Sequence, residues 1–429
     1  MNKTMRPAGR LPVTLISATI GNIVEWYDFA LYTAATPLVF ARLFFKQNSD
    51  AFTNQIETIA LFAAGFLVRP IGGIIFGRIG DRYGHVIALQ WTLLLIGIAT
   101  SLIGLLPTYE HIGLLAPLLL LLLRLVQGVA AGGEWAGSIL VIGDVQPCNT
   151  SRRTVTLALS QSGVAAGMVL GTGMIWLLGH LPEEAFLSWG WRVAFLLPLP
   201  LIGLGVFLRA SLLPSPARNI EKSTDRHKIL RVFRDRPLQI IRGIGIRVTE
   251  NGGIYLISVF GLSYGRTQHV PDSLLLAGMT CGLIADGIAM PVFGWVATRI
   301  GHARTYRSGS IFLLLLILPF FRLIASGEPT YVIGAFVVTM MLAHAPMIAV
   351  EPFLLERLFP QHSRYLGVAV SHEFGAVLAG GLSPLFAALL YHHSGSVNGV
   401  VGYVFLLAVL SLLLLGHSDS HLSDRSSRH

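Results

Sequence analysis

Glu25 and Asp28 stand three residues apart inside a run of mostly apolar side chains that extends from about Leu11 to Phe45. An ionised side chain at mid-bilayer costs about 2.5–3.5 kcal/mol even on the mildest insertion scale, so an acid in such a run faces a cavity or a cation. Other polar groups recur at helical spacing in other apolar runs. Asn22, Glu25, Phe29 and Tyr32 share one helix face, with Asp28 about 60° away. Arg124, Gln127, Ala131 and Trp135 form a second stripe, with Glu134 at its edge, and Arg247, Glu250, Asn251 and Tyr255 form a third. His344 and Glu351 lie two turns apart, Ser371, His372 and Glu373 are adjacent, and Gln161 follows Ser160 in a further run. These faces converge only where the helices that carry them ring one cavity.

Such groups suit the binding and movement of small charged species. A carboxylate ligand needs a fixed cation, and arginine stays charged at any relevant pH, which nominates Arg124 or Arg247. Proton coupling needs a group that gains and loses a proton near neutrality, as a desolvated carboxylate does. Glu25, Asp28 and Glu134 are the candidates for that role. The expected substrate-binding set is Asn22, Tyr32, Arg124, Gln127, Gln161, Arg247, Asn251 and His372. Each has a plainer reading. Glu25 and Asp28 would also serve as structural ion-pair partners, although the transport role is the favoured one, and Glu250 one turn from Arg247 would neutralise it. Arg69 beside Pro70 reads as a packing or gate contact, and Asp286 is an isolated acid open to either reading. His344 and His372 are packing histidines or titrating groups, and Glu356 with Arg357 reads as an ion pair at a helix end.

The elements that position these groups are membrane helices. Of the 429 residues 12% are charged and 53% hydrophobic, and the mean hydropathy is +0.66. Soluble domains carry about 25% charged residues, so this composition cannot cover the surfaces of soluble domains. Two cysteines exclude a disulfide framework, no His/Cys pair has metal-site spacing within a span, and no phosphate-binding loop occurs. Neither a metal nor another cofactor is expected, and no constellation points to an enzyme. The chain therefore reads as all-α and polytopic, with partners that are a small-molecule substrate, protons and the lipid bilayer rather than nucleic acid.

Twelve stretches are long enough to cross the hydrocarbon: 14–43, 56–78, 86–106, 111–143, 154–179, 190–209, 240–265, 272–297, 306–325, 329–357, 364–391 and 397–416. The first follows Lys3, Arg6 and Arg10, lacks a small-residue cleavage site and carries acids, so it reads as a retained span rather than a signal peptide. With both termini cytoplasmic, 23 of the 31 Lys+Arg fall on the cytoplasmic side, as the positive-inside rule requires. Nine of those come from 209–242, which includes the one long polar stretch. That stretch divides the chain into a bundle of six helices at 1–210, a cytoplasmic linker at 211–239 and a second six-helix bundle with a short tail at 240–429. Segment 218–236 is basic and reads equally as a helix on the anionic inner leaflet or as a solvated linker. Trp189 and Trp191 are expected as interfacial anchors. Gly163, Gly167 and Gly171 form a small-residue stripe for close helix approach.

The halves also match each other. Gly77-Arg78-Ile79-Gly80-Asp81-Arg82-Tyr83-Gly84-His85 aligns with Gly294-Trp295-Val296-Ala297-Thr298-Arg299-Ile300-Gly301-His302, and Arg153 to Gln161 aligns with Arg364 to His372. Two matches at nearly one offset imply a duplicated six-helix unit, an architecture of secondary transporters with binding near the midplane between repeats.

On these residues the sequence resembles the major facilitator superfamily, whose cytoplasmic-gate signature is matched by Gly77, Asp81, Arg82 and Gly84. Glu25-Trp26-Tyr27-Asp28-Phe29, Phe66 to Gly73, Arg124 to Gly128, Gly132-Gly133-Glu134-Trp135 and Trp189-Gly190-Trp191-Arg192 resemble its metabolite:proton symporter branch. Within that branch the likeness is closest to bacterial shikimate permeases, around Ile103 to Pro107 and Phe186 to Arg192. The resemblance implies the major facilitator fold and an inner-membrane importer that couples a small organic acid to proton entry, and a monomer is the default expectation. Alternatives are a carrier of a zwitterion such as betaine or proline, or a passive uniporter. The gate residues it implies are Gly77, Asp81, Arg82, Gly84 and, in the second half, Arg299. Two departures weaken the gate pattern: His85-Val86 stands where basic residues are usual, and Thr298 where an acid is usual. Osmosensing members carry a long C-terminal coiled coil, for which the residues after Gly416 leave no length. The fifth span lacks the antiporter Gly-Pro motif, which favours symport.

Overall fold

A computed structural model describes residues 7–45, 64–146, 150–212 and 233–416, and the regular structure among them is helical. Twelve long helices run in chain order. In the first half they are α1 (Pro7–Ala35, continued by a π turn at Thr36–Phe40), α2 (Arg69–Tyr83, preceded by helical residues 64–67), α3 (His85–Leu105), α4 (Leu115–Val145), α5 (Thr150–Leu178) and α6 (Glu183–Leu212). In the second they are α7 (Pro237–Tyr255, continued through Leu256–Phe260 and Gly261–Thr267), α8 (Asp272–Ile300), α9 (His302–Ala325), α10 (Pro329–Leu358), α11 (Gln361–Ser394) and α12 (Asn398–Gly416). They coincide with the twelve expected spans to within several residues; positions 56–63 of the second span lie outside the described residues. Among the described residues, α3–α6 and α8–α12 are long and apolar enough to cross a membrane. The shortfall in α1 and α7 has a chemical cause: Asn22, Glu25 and Asp28 interrupt the first, and Arg242, Arg247 and Glu250 the second.

Contacts divide the chain into two compact units, Met1–Val145 with Gly163–Asp225, and Gln146–Ser162 with Arg226–His429. The start of α5 therefore counts with the second unit. Most of the expected linker, residues 213–232, lies outside the described residues.

In the first unit α4 packs on α1, α2 and α3, while α6 packs on α1 and α3. Close approach depends on missing side chains. A Cβ on Gly132 of α4 would lie 2.1 Å from the Arg69 carbonyl oxygen, and one on Gly167 of α5 would lie 2.5 Å from that of Ile23. Gly163 and Gly171 meet the α1 backbone in the same way, so the glycine stripe of α5 is the seat of α1. An aromatic cluster closes one end, with Phe40, Phe44, Trp191 and Phe195 in edge or tilted contact at centroid separations of 5.5–6.3 Å. Trp191 is thus fully buried, with its indole N–H on the Leu187 carbonyl at 3.1 Å, rather than an interfacial anchor; Trp189 is exposed. A tryptophan near a helix end fits an interface and an aromatic core alike, so residue type does not separate these two positions.

In the second unit α8 packs on α10, α7 on α11 and α12, and α9 on α10 and α12. The two matched loops share one backbone conformation. Gly84 has φ 105° and ψ 149°, and Gly301 has φ 97° and ψ 147°. Each N–H caps the preceding helix, on Gly80 and Ala297 respectively at 3.0 Å, and each is followed by a histidine that starts the next helix. That region is open in practice only to glycine, which lets α2 turn into α3, and α8 into α9, across a single residue.

Candidate substrate and proton site

Helix spacing brings Glu25 and Asp28 to one side of α1, and the Gly65–Gly128 and Gly132–Arg69 approaches bring α2 and α4 close together. A small cavity is lined by Glu25, Asp28, Phe29, Phe66, Arg69 and Arg124, with Ile96, Gln127 and small residues completing it. Arg69 pairs with Glu25 at 2.7 Å. Arg124 pairs with Asp28 at 3.5 Å and also donates to Gln127 Oε1 at 3.3 Å. Asp28 Oδ1 further accepts from Gln127 Nε2 at 2.5 Å and from the Thr100 hydroxyl of α3 at 2.6 Å. The Arg124 guanidinium lies 4.1 Å over the Tyr32 ring, and the buried Tyr32 hydroxyl has no hydrogen-bond partner among the described residues. Phe29 and Phe66 meet edge-on at 5.4 Å on the cavity wall. Arginine, two acids, amide and aromatic faces thus surround one small space, a donor set fit for a small anion or zwitterion.

Glu134 stands apart from this set. It is fully buried and held by Arg209 of α6 through both carboxylate oxygens, with Thr92 of α3 donating to it as well. Arg209, counted on sequence with the cytoplasmic stretch, is 1% exposed inside the bundle. Its position at the end of the sixth apolar run disguised it as a flanking charge. Asn22 is buried and accepts a long bond, 3.5 Å, from Ser138. Gln161 is buried on α5, next to Ser160 at 3.4 Å.

The second unit holds a cluster whose joint arrangement periodicity did not reveal. Arg247 Nη1 of α7 donates to Glu250 and to Glu351 of α10, the latter at 3.1 Å. His344 of α10 is bonded at both ring nitrogens, Nε2 to Glu250 and Nδ1 to Asp286 of α8, each at 2.8 Å. Asp286, isolated in the sequence, thus finds its partner across helices, where no local spacing signals it. His372 bonds the adjacent Glu373 at 2.8 Å, and Asn251 is buried on the same helix as Arg247.

The residues expected at the gate occupy the ends of matched helices. Gly77, Asp81 and Arg82 lie in the last turns of α2 with Gly84 at its cap, and Arg299 lies in the last turn of α8. Arg82 sits 5.1 Å over Tyr83 and Arg299 4.9 Å over Trp295, while Thr298 bonds its own helix. Glu356 is not paired with Arg357, which lies over the Phe353 ring at 4.3 Å. Its Oε1 instead accepts from Arg153 and Arg364, the two arginines that the internal match aligns.

Nine described helices long and apolar enough to cross a membrane, with buried ion pairs inside each unit, define a multi-pass membrane protein, and comparison with known proteins places it more finely. The family model of the Major Facilitator Superfamily matches residues 18–364. The shikimate transporter of Escherichia coli (strain K12) is 32% identical over 413 residues, 93% of each chain. The glycine betaine/proline/ectoine/pipecolic acid transporter OusA of Dickeya dadantii (strain 3937) is 32% identical over 422 residues, 94% of this chain and 82% of the relative. The solved structure of the proton:xylose symporter XylE bound to 6-bromo-6-deoxy-D-glucose superposes with a TM-score of 0.76 at 13% identity, covering 96% of this chain and 95% of the other. The chain belongs to the major facilitator superfamily.

Proposed function

We propose that this protein is an inner-membrane importer of a small organic acid, shikimate or a similar carboxylate, coupled to proton entry by alternating access of its two bundles. The observation that carries this reading is the Asp28–Arg124 pair in the cavity of the first bundle. The two charges meet at 3.5 Å, a loose pair, while Gln127 and Thr100 hold Asp28 in place. A substrate carboxylate competes for Arg124. Asp28 is then a buried acid without its counter-charge, and takes up a proton. Release of substrate on the other side returns Arg124 to Asp28 and expels the proton. Arg69 and Glu25 form a second pair on the cavity wall, and the Tyr32 hydroxyl supplies a donor. On this reading Glu134 holds Arg209 and supports the bundle, while Glu25 and Asp28 carry the coupling. Gly77, Asp81, Arg82, Gly84 and Arg299 serve the cytoplasmic gate.

A second reading, transport of a zwitterion, is favoured by one feature: Phe29 and Phe66 stand beside the acids, and aromatic faces attract quaternary ammonium groups. The name of the OusA relative points the same way. The test is uptake of labelled shikimate into proteoliposomes with and without an inward proton gradient, competed by a panel of carboxylates and betaine. Gradient-stimulated uptake blocked by carboxylates supports the first reading, and block by betaine alone moves the substrate to the second. Asp28→Asn should abolish gradient-driven uptake while counterflow exchange persists. Full gradient-driven uptake by that variant would remove Asp28 from the coupling step.

A further inference from the structure

The cluster in the second bundle carries more acid than base. Glu250, Asp286 and Glu351 face Arg247 and His344, all five at most 3% exposed. A neutral imidazole has one N–H, yet His344 is hydrogen-bonded at both nitrogens to carboxyl oxygens. Both bonds exist together only if the ring is imidazolium or one of the two carboxyls is protonated. The Asp286–His344–Glu250 chain therefore holds one proton beyond those of a neutral ring and two carboxylates. With that proton in place the chain has a net single negative charge, which Arg247 balances. Glu351 remains: it shares Arg247 Nη1 with Glu250 and has no cation of its own among these five groups. A closed, apolar setting disfavours an unbalanced charge, so the cluster becomes neutral when Glu351 accepts a second proton.

On α11 Glu373 is a further acid that acts on Arg247, and His372 is its own partner. Tyr306 of α9 donates its hydroxyl to the Ile246 carbonyl. On α12 Ser411 donates to Gly245 and contacts Thr249. Two local features show a built site. His344 ends a π turn, Met340–His344, a widening that recurs at functional positions. Asp286 Oδ1 is buried with no hydrogen-bond partner among the described residues.

We propose that this cluster is a second proton-binding site, which loads one proton on Glu351 per transport cycle through the Asp286–His344–Glu250 chain. It acts in addition to Asp28 and rests on the reading of the protein as a proton symporter. Arg247 then holds the acids of the cluster rather than a substrate carboxylate.

The experiment is the steady-state accumulation of labelled shikimate in proteoliposomes, or of whichever panel acid or betaine the protein takes up, against imposed pH gradients with the membrane potential clamped at zero. Each cotransported proton multiplies accumulation by about ten per pH unit. Glu351→Gln should lower that dependence by one such factor, with counterflow exchange persisting. Asp286→Asn should act in the same direction, and it carries the test if Glu351→Gln leaves the monodisperse peak. Folded variants that keep the wild-type dependence overturn the proposal. Absence of uptake of every panel member by folded wild-type protein would count against the symporter reading, and infrared difference spectra of the purified protein across a pH titration then decide the proton site. A protonated-carboxyl band lost in Glu351→Gln supports it. A titration with no such band, or with a band that both variants retain, overturns it.

Discussion

Each bundle holds a cluster of buried charges, and the two clusters are built differently. In the first, each acid has its own arginine: Glu25 with Arg69, Asp28 with Arg124, and Glu134 with Arg209. In the second, the cluster of α7, α8 and α10 has three acids that share one arginine and one histidine, while Glu356 is paired with Arg153 and Arg364, and Glu373 with His372. One-to-one pairing makes a switch by competition, since a ligand that takes the cation exposes the acid. Shared pairing makes a store, since neutrality is reached only by adding protons. The first arrangement also borders a cavity, where competition for the cation has room to occur.

The sharpest way to break this contrast is to remove the cation of one switch pair. Arg124→Gln leaves Asp28 buried beside Gln127 and Thr100 with no counter-charge. Loss of one partner of a buried pair costs about 3–5 kcal/mol. Both gradient-driven uptake and exchange should be lost if Arg124 is the cation that binds substrate, as proposed, and thermal unfolding should shift downward. Adding Asp28→Asn should restore much of the stability but none of the transport. Recovery of transport in the double variant would mean that Arg124 serves only to neutralise Asp28.

The Glu134–Arg209 pair sharpens the contrast within the first bundle, because it has the same chemistry without the cavity. Glu134→Gln alone should destabilise by about 3 kcal/mol, as an unpaired buried guanidinium remains. The double variant Glu134→Leu with Arg209→Met should recover most of that loss and keep gradient-driven uptake. Melting temperature and uptake measured together check this; a stable double variant that has lost only the gradient response would return Glu134 to the coupling step.

These cases also mark how far the sequence reaches. The twelve helices, the matched loops and the polar stripes of α1, α4 and α7 are local patterns, visible because hydropathy and helical period act over neighbouring residues. The candidacy of Glu25, Asp28, Arg124 and Gln127 was legible for the same reason, since each pair lies on one side of its own helix; that α1 and α4 bring the two pairs together was not. Arg209 and Asp286 were not legible as cluster members. Each is a single charge whose partner lies on another helix, 75 residues away for Arg209 and 58 for Asp286, and no local period records such a distance. Trp191 failed for a related reason: tryptophan near a helix end suits an interface or an aromatic core equally, and only packing against Phe40, Phe44 and Phe195 decides between them.

The smallest expected effect tests whether the two halves are equivalent at all. Gly84 and Gly301 have nearly the same dihedral angles, and a Cβ built on either meets nothing within 4 Å. The cost of Gly84→Ala and of Gly301→Ala is therefore backbone strain alone, about 1–3 kcal/mol each. If the loops are true repeats, the two variants should lower the melting temperature by similar amounts. Their neighbours differ, however: His85 bonds Asp144, while His302 bonds Thr154 and stacks on Phe353 at 3.6 Å. Strain relieved by moving the loop would disturb a hydrogen bond in the first case and both a hydrogen bond and a ring contact in the second. Equal melting shifts with a larger loss of uptake in Gly301→Ala would assign the difference between the halves to what the loop holds, and not to the loop itself.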